Sequence, residues 1–125
     1  MTLILDSGAL IAVERGSREL LALLNHERLA GRPPLTHGGV VGRVWRGGPR
    51  QARLAALLDG VDVAALDQKL GRRAGALLAA SGTSDVVDAA LVRLAADGDE
   101  LVTSDPEDLA VLAAAAGTHL EIDVV

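Results

Sequence analysis

Four aspartates stand where acids can do chemistry together. Asp6 closes the apolar run TLIL, Asp105 follows the run LVTS, and Asp85 and Asp88 open a helical stretch three residues apart. Side chains three apart on a helix share a face, with Cβ atoms about 5–6 Å from one another. Like charges gathered in one place repel unless a cation neutralises them. The chain has no Cys, and its three His are scattered at positions 26, 37 and 119, so the donor set is all oxygen and suits a hard ion such as Mg²⁺ or Mn²⁺. Such an ion points to phosphoryl-transfer or phosphodiester chemistry, in one-ion form or with two metals about 3.5–4 Å apart. Taken singly, each acid is also an ordinary turn or cap residue. Only the convergence of two strand ends and a doubly acidic helix start speaks for a site.

That convergence requires a particular architecture. Short β-rich runs alternate with Ala/Leu-rich helical runs, which predicts an α/β domain around a mostly parallel sheet. Strands are expected at Thr2 to Leu5, Leu35–Thr36, Val61 to Ala65, Glu100 to Thr103 and Leu120 to Val124. Helices are expected at Ala9 to Val13 with Ser7 as cap, Ser17 to Ala30, Val40 to Trp45, Gln51 to Leu58, Asp67 to Ala80, Asp85 to Ala96 behind Thr83 and Ser84, and from Pro106 to Ala116. The Gly-rich stretch HGGVVGRVWRGGP gives the weakest pattern. In open parallel sheets ligands collect outside the carboxyl ends of the strands. Asp6 and Asp105 both fall at such ends, and they share one crevice if their strands are neighbours.

The composition sets outer bounds. At 125 residues the chain makes one domain, 1–125, with an aliphatic core, since Trp45 is its only aromatic. A net charge of −5 disfavours a broad basic face for duplex DNA and a polybasic membrane anchor. The absence of Cys fits a reducing compartment, and the start MTLILDSGALIAVERG resembles neither a signal peptide nor a membrane span; a soluble cytoplasmic protein is the expectation. Arg43, Arg46, Arg50 and Arg53 place four of the twelve cationic residues within eleven positions. That segment reads as a phosphate-contacting rim, as a solvated edge over a buried Trp45, or as a protein-docking surface. His37 reads as structural or exposed. Other users of strand-end aspartates fit poorly. Gly8 stands where a dehalogenase-type phosphatase needs a second Asp, the sole lysine, Lys69, is too early for a receiver domain, and no Gly-rich phosphate loop occurs.

The segments LDSGALIA at 5–12, TSDVVDAALV at 83–92 and LVTSDPEDLAVLA at 101–113 resemble the acidic motifs of the PIN domain, especially the small VapC-like toxins of bacterial toxin–antitoxin pairs. The resemblance spans nearly the whole chain. It implies a three-layer α/β/α sandwich, Mg²⁺- or Mn²⁺-dependent RNA cleavage, neutralisation by a small antitoxin, and often a homodimer. Position by position, Asp6 matches the family's first metal-binding acid and Asp105 its last. The third acid matches Asp85 through its place behind Thr83–Ser84, or Asp88 through its 17-residue separation from Asp105. Ser7 and Ser104 match small polar positions that accompany the acids. The chain departs from the family at its second acid, usually Glu, where Arg43 stands and no other acid lies between His37 and Gln51. A guanidinium repels cations. Either Asp88 supplies the missing charge and a one-metal enzyme persists, or nuclease activity has decayed and a binding module remains. Arg43 could also pair with Asp6 or Asp88 in imitation of the cation, or, with Arg46, contact RNA.

Overall fold

The computed structural model describes all residues, Met1–Val125, as a three-layer α/β/α sandwich around a five-stranded, all-parallel sheet. The strands β1 (Leu3–Leu5), β2 (Leu35–His37), β3 (Asp62–Ala64), β4 (Glu100–Thr103) and β5 (Glu121–Val124) lie in the order β3-β2-β1-β4-β5. β1 is buried along its whole length, so Leu3, Ile4 and Leu5 form an unbroken apolar run rather than an alternating one. The chain travels outward through β1, β2 and β3, then returns to the other side of β1 for β4 and β5. Right-handed crossovers taken in opposite directions place their helices on opposite faces. On one side, α1 (Ser7–Glu14) packs with α2 (Arg18–Leu29), α3 (Gly38–Val44) and α4 (Ala52–Leu58). On the other, α5 (Gln68–Ser81), α6 (Val86–Leu94) and α7 (Pro106–Ala116) pack with one another.

This order puts the switch point between β1 and β4, whose register pairs Leu5 with Val102. A crevice opens beyond their carboxyl ends, as such topologies dictate. Below it sits one core of buried Leu, Ile, Val and Ala, including Leu10, Leu77, Leu91 and Leu109. The aliphatic expectation holds, but Trp45 does not lie buried under the arginines; it is 40% exposed. No single helix is long and apolar enough to cross a membrane.

Several element ends differ from the sequence-based ones for local reasons. α1 begins at Ser7 because Asp6, not Ser7, is its cap and accepts the Gly8 N–H. α3 begins at Gly38 because the His37 ring caps it through the Gly39 N–H. Asp85 caps α6 itself, leaving Thr83 hydrogen-bonded to Ser81 instead. The segment expected as Gln51 to Leu58 opens with a 3₁₀ turn, Pro49–Gln51. There the buried Gln51 side chain accepts the N–H groups of Arg46 and Gly47 and donates to the Val44 carbonyl, closing the Gly-rich bend.

Candidate active site

The buried carboxylate of Asp6 is the centre of the crevice, 4% exposed at the end of β1. Its Oδ1 accepts the Gly8 N–H at 3.0 Å and the Ser7 hydroxyl at 2.8 Å. Its Oδ2 accepts the hydroxyl of Thr103, the last residue of β4. The same Thr103 oxygen accepts the Asp105 N–H at 2.8 Å. One buried hydroxyl therefore ties the Asp6 carboxylate to the backbone of Asp105 across the switch point. Sequence reasoning missed Thr103, since a threonine at a strand end reads only as a β-former. Gly8 is required by the same geometry: a Cβ there would overlap the Ser104 side chain.

Ser7 supports the site as expected, through Asp6. Ser104 does not: it is exposed, and its hydroxyl holds none of the carboxylates. Asp105 is also exposed, as the residue before α7, and its side chain makes no capping hydrogen bond. Its carboxyl is held above the ordinary range, chiefly by a hydrogen bond with Asp108, with lesser effects from partial loss of hydration and from repulsion by Asp108, Asp6 and Glu107.

The first turn of α6 contributes the other two acids. Asp85 caps that turn, accepting the Asp88 N–H at 3.1 Å. Arg43, in the last turn of α3, reaches both. Its Nη2 lies 2.5 Å from each carboxylate oxygen of Asp85, and its Nη1 lies 3.1 Å from Oδ1 of Asp88. Burial raises the Asp85 carboxyl, but hydrogen bonds from Arg43 and from the Asp88 and Val87 N–H groups bring it below its ordinary value. Asp88 goes the other way. Only 8% exposed, it is pushed up to about 6 by burial and by the charges of Asp85 and Asp6, against the opposing pull of Arg43. Burial alone would lower the guanidinium; Asp85 and Asp88 hold it charged.

His37 positions this arrangement from behind. Fully buried, it accepts the Gly39 N–H on Nδ1 at 3.0 Å, so Nε2 carries the proton and donates to the Val87 carbonyl at 2.8 Å. β2 and α3 are thereby tied to the helix bearing Asp85 and Asp88. Burial lowers the ring below its ordinary value and keeps it neutral. His26 and His119 are exposed and remote from these contacts.

The four predicted acids thus share one edge, with the charge of Asp6 felt at both Asp88 and Asp105. Asp6 and Asp105 have no cationic partner, whereas Asp85 and Asp88 share Arg43. No group of three acids or histidines is disposed to grip one ion together. Mg²⁺ is commonly held by only one or two carboxylates, with water and substrate oxygens completing the shell, so Asp6 and Asp105 fit a single hard ion in donor type and charge. A two-ion centre is not supported, because Arg43 stands on the acids that would complete it.

Arg43 is consequently not free for RNA. Arg46, the other expected contact, is exposed; its guanidinium donates to the carbonyls of Gly42 and Trp45. Arg15, Arg43, Arg46 and Arg50 line an open groove of about 670 Å³ that shares Arg43 with the site and includes none of its four acids. The contribution of Arg15 was not anticipated, since it is distant in sequence from the arginine-rich segment. No protein-family model matches the chain, and a search of curated proteins finds no match.

Proposed function

We propose that the chain is a PIN-like, Mg²⁺- or Mn²⁺-dependent endoribonuclease of the toxin–antitoxin class, working with one ion. The observation that carries the reading is that Asp6 and Asp105 follow the neighbouring strands β1 and β4 at the switch point, with Thr103 joining the Asp6 carboxylate to the Asp105 backbone N–H and no cation paired to either carboxylate. The motif resemblance at 5–12, 83–92 and 101–113 supplies the substrate class and the implied partners: RNA, a small cognate antitoxin and a second copy of the chain, in the cytoplasm. Ile11 on α1 and Leu29 on α2 are exposed aliphatic positions suited to such docking.

Asp6 and Asp105 would hold the ion, with Asp88 adding negative charge from the facing helix. When bound, the ion supplies a Lewis acid that draws electron density from the scissile phosphodiester. The chain's own groups do the positioning. Ser7, the Gly8 N–H and Thr103 fix the Asp6 carboxylate in one orientation. Exposed arginines of the adjoining groove, Arg15, Arg46 and Arg50, attract the phosphate backbone of the substrate.

A second reading, a binding module without catalysis, is favoured by Arg43 on two of the four acids. RNA cleavage with and without Mg²⁺ separates the two. Asp6→Asn and Asp105→Asn are each expected to abolish cleavage while circular dichroism stays native. Unchanged cleavage in both variants overturns the site assignment, and no cleavage by the wild-type chain on any RNA favours the binding module.

A further inference from the structure

Trp45 is the only aromatic residue of the chain, and it stands 40% exposed at the end of α3. An aromatic ring offers more apolar surface for burial than any aliphatic side chain, yet this one is left partly in water while the aliphatic core closes without it. Its backbone is fixed. The Trp45 N–H donates to the Val41 carbonyl at 2.8 Å, and the buried Gln51 side chain holds the residues on either side, accepting the Arg46 and Gly47 N–H groups and donating to the Val44 carbonyl. Its surroundings are bare. Gly42, Gly47 and Gly48 lie within three positions of it, and a Cβ at any of them would meet nothing within 4 Å. Its sequence neighbours Val44 and Arg46 both line the arginine groove. Arg46 uses Nη1 on the Gly42 and Trp45 carbonyls, which leaves Nε and Nη2 without a partner in the chain.

We propose that Trp45 is a stacking platform for one unpaired base of single-stranded RNA, with Arg46 and the groove arginines holding the neighbouring phosphates. The proposal rests on the ribonuclease reading for its substrate and adds a residue that selects single strands over duplex. The chemistry on the two sides of Trp45 matches the two parts of a nucleotide. Every base has a π-face that stacks on an aromatic ring whatever its identity, and guanidinium forks suit phosphate oxygens. In a duplex the faces of the bases are already covered by one another, so only an unpaired base can reach the indole. The charge of the groove fits the same occupant: arginines line it with Glu14 as the only acid, which favours a polyanion. Because Gln51 holds the bend in place before any ligand arrives, little ordering cost falls on binding.

With no Tyr, no Phe and a single Trp, the ultraviolet emission of the chain reports this one ring. In the cleavage-deficient Asp6→Asn background, a short unstructured RNA is added while Trp45 emission is followed, and binding of the same RNA carrying a label is measured by anisotropy. Quenching that follows the binding curve is expected for the single strand, and none for an abasic strand of equal length or for the matching duplex. Trp45→Leu should bind the single strand about 5- to 100-fold more weakly, the loss that removing one base–aromatic stack brings, with Trp45→Phe restoring part of it. The salt dependence of binding should not change in Trp45→Leu, because no phosphate contact is removed. RNA that binds without altering Trp45 emission, and with equal affinity for Trp45→Leu, overturns the stacking role and leaves the ribonuclease reading standing. An equal loss of affinity for the abasic strand in Trp45→Leu also overturns it, since the ring then acts through the fold and not on a base. No binding of any RNA by anisotropy overturns both.

Discussion

Thr103 is the residue that ties the Asp6 carboxylate to the backbone leading into Asp105. Its hydroxyl hydrogen is committed to Asp6, and its oxygen accepts the Asp105 N–H, in a position with no exposure to solvent. Thr103→Val keeps the shape and removes the hydroxyl, leaving a carboxylate oxygen and a backbone N–H without this partner. Such a loss costs about 1–3 kcal/mol. The expected outcome is a destabilisation of that size in urea unfolding, largely restored in Thr103→Ser. A double-mutant cycle with Asp6→Asn isolates the bond, because partners in contact show non-additive changes. Additive effects of Thr103→Val and Asp6→Asn would mean that the hydroxyl does not hold Asp6. The four acids were legible in the sequence because strand ends and helix starts have local signatures. Thr103 was not, and neither was the choice of Arg43 for Asp85 and Asp88 over Asp6. Both depend on which segments meet across the sheet, and no local pattern encodes that.

At the scale of elements, the alternation of apolar runs and Gly or Asp breaks was enough to give all five strands, and the long helices within a few residues. The exception was 37–51, where glycines erase periodicity and a buried side chain, Gln51, closes the bend. α3 starts two residues earlier than its apolar pattern suggests because an imidazole caps it. That cap makes the tie between the β2–α3 junction and α6 sensitive to acid. The neutral His37 ring accepts from Gly39 and donates to Val87; a protonated ring loses its acceptor and places a charge in the core, near Arg43. With the folded pKa below the ordinary 6.5, the unfolded chain binds this proton more tightly. The contribution is therefore present above about pH 6.5 and lost as pH falls below it. Asp88 has the opposite sign: its raised pKa makes the fold gain relative stability as pH falls through about 6. The two are separated by comparison with His37→Asn, which keeps a capping oxygen but cannot be protonated. The stability advantage of wild type over His37→Asn is expected to shrink between pH 7 and pH 5. An advantage that stays constant over this range would show that the ring does not titrate with folding.

For the molecule as a whole, the net charge of −5 conceals a separation of charge. Acids gather at the switch point, while Arg15, Arg46 and Arg50 line a separate groove that also takes in Arg43, with Glu14 the only acid among its lining residues. The sheet order produces this polarity: β1 and β4 deliver Asp6 and Asp105 to one edge, and the chain leaving β2 swings the arginine-rich bend alongside α1. An acidic protein can therefore hold a polyanion on one local strip. On the ribonuclease reading, single-stranded RNA bound there displaces counterions, and the logarithm of affinity falls with the logarithm of salt by about 0.7 per neutralised phosphate. In the cleavage-deficient Asp6→Asn background, Arg46→Ala and Arg50→Ala should each weaken binding of a labelled RNA to a similar degree whatever its sequence. Each should also flatten the salt dependence by about one phosphate contact, because arginines that touch only phosphate carry no base information. The control is Lys69→Ala, on the first turn of α5 and outside the groove, which should leave the slope unchanged. Equal slopes for all four proteins in fluorescence anisotropy would place the RNA elsewhere on the surface.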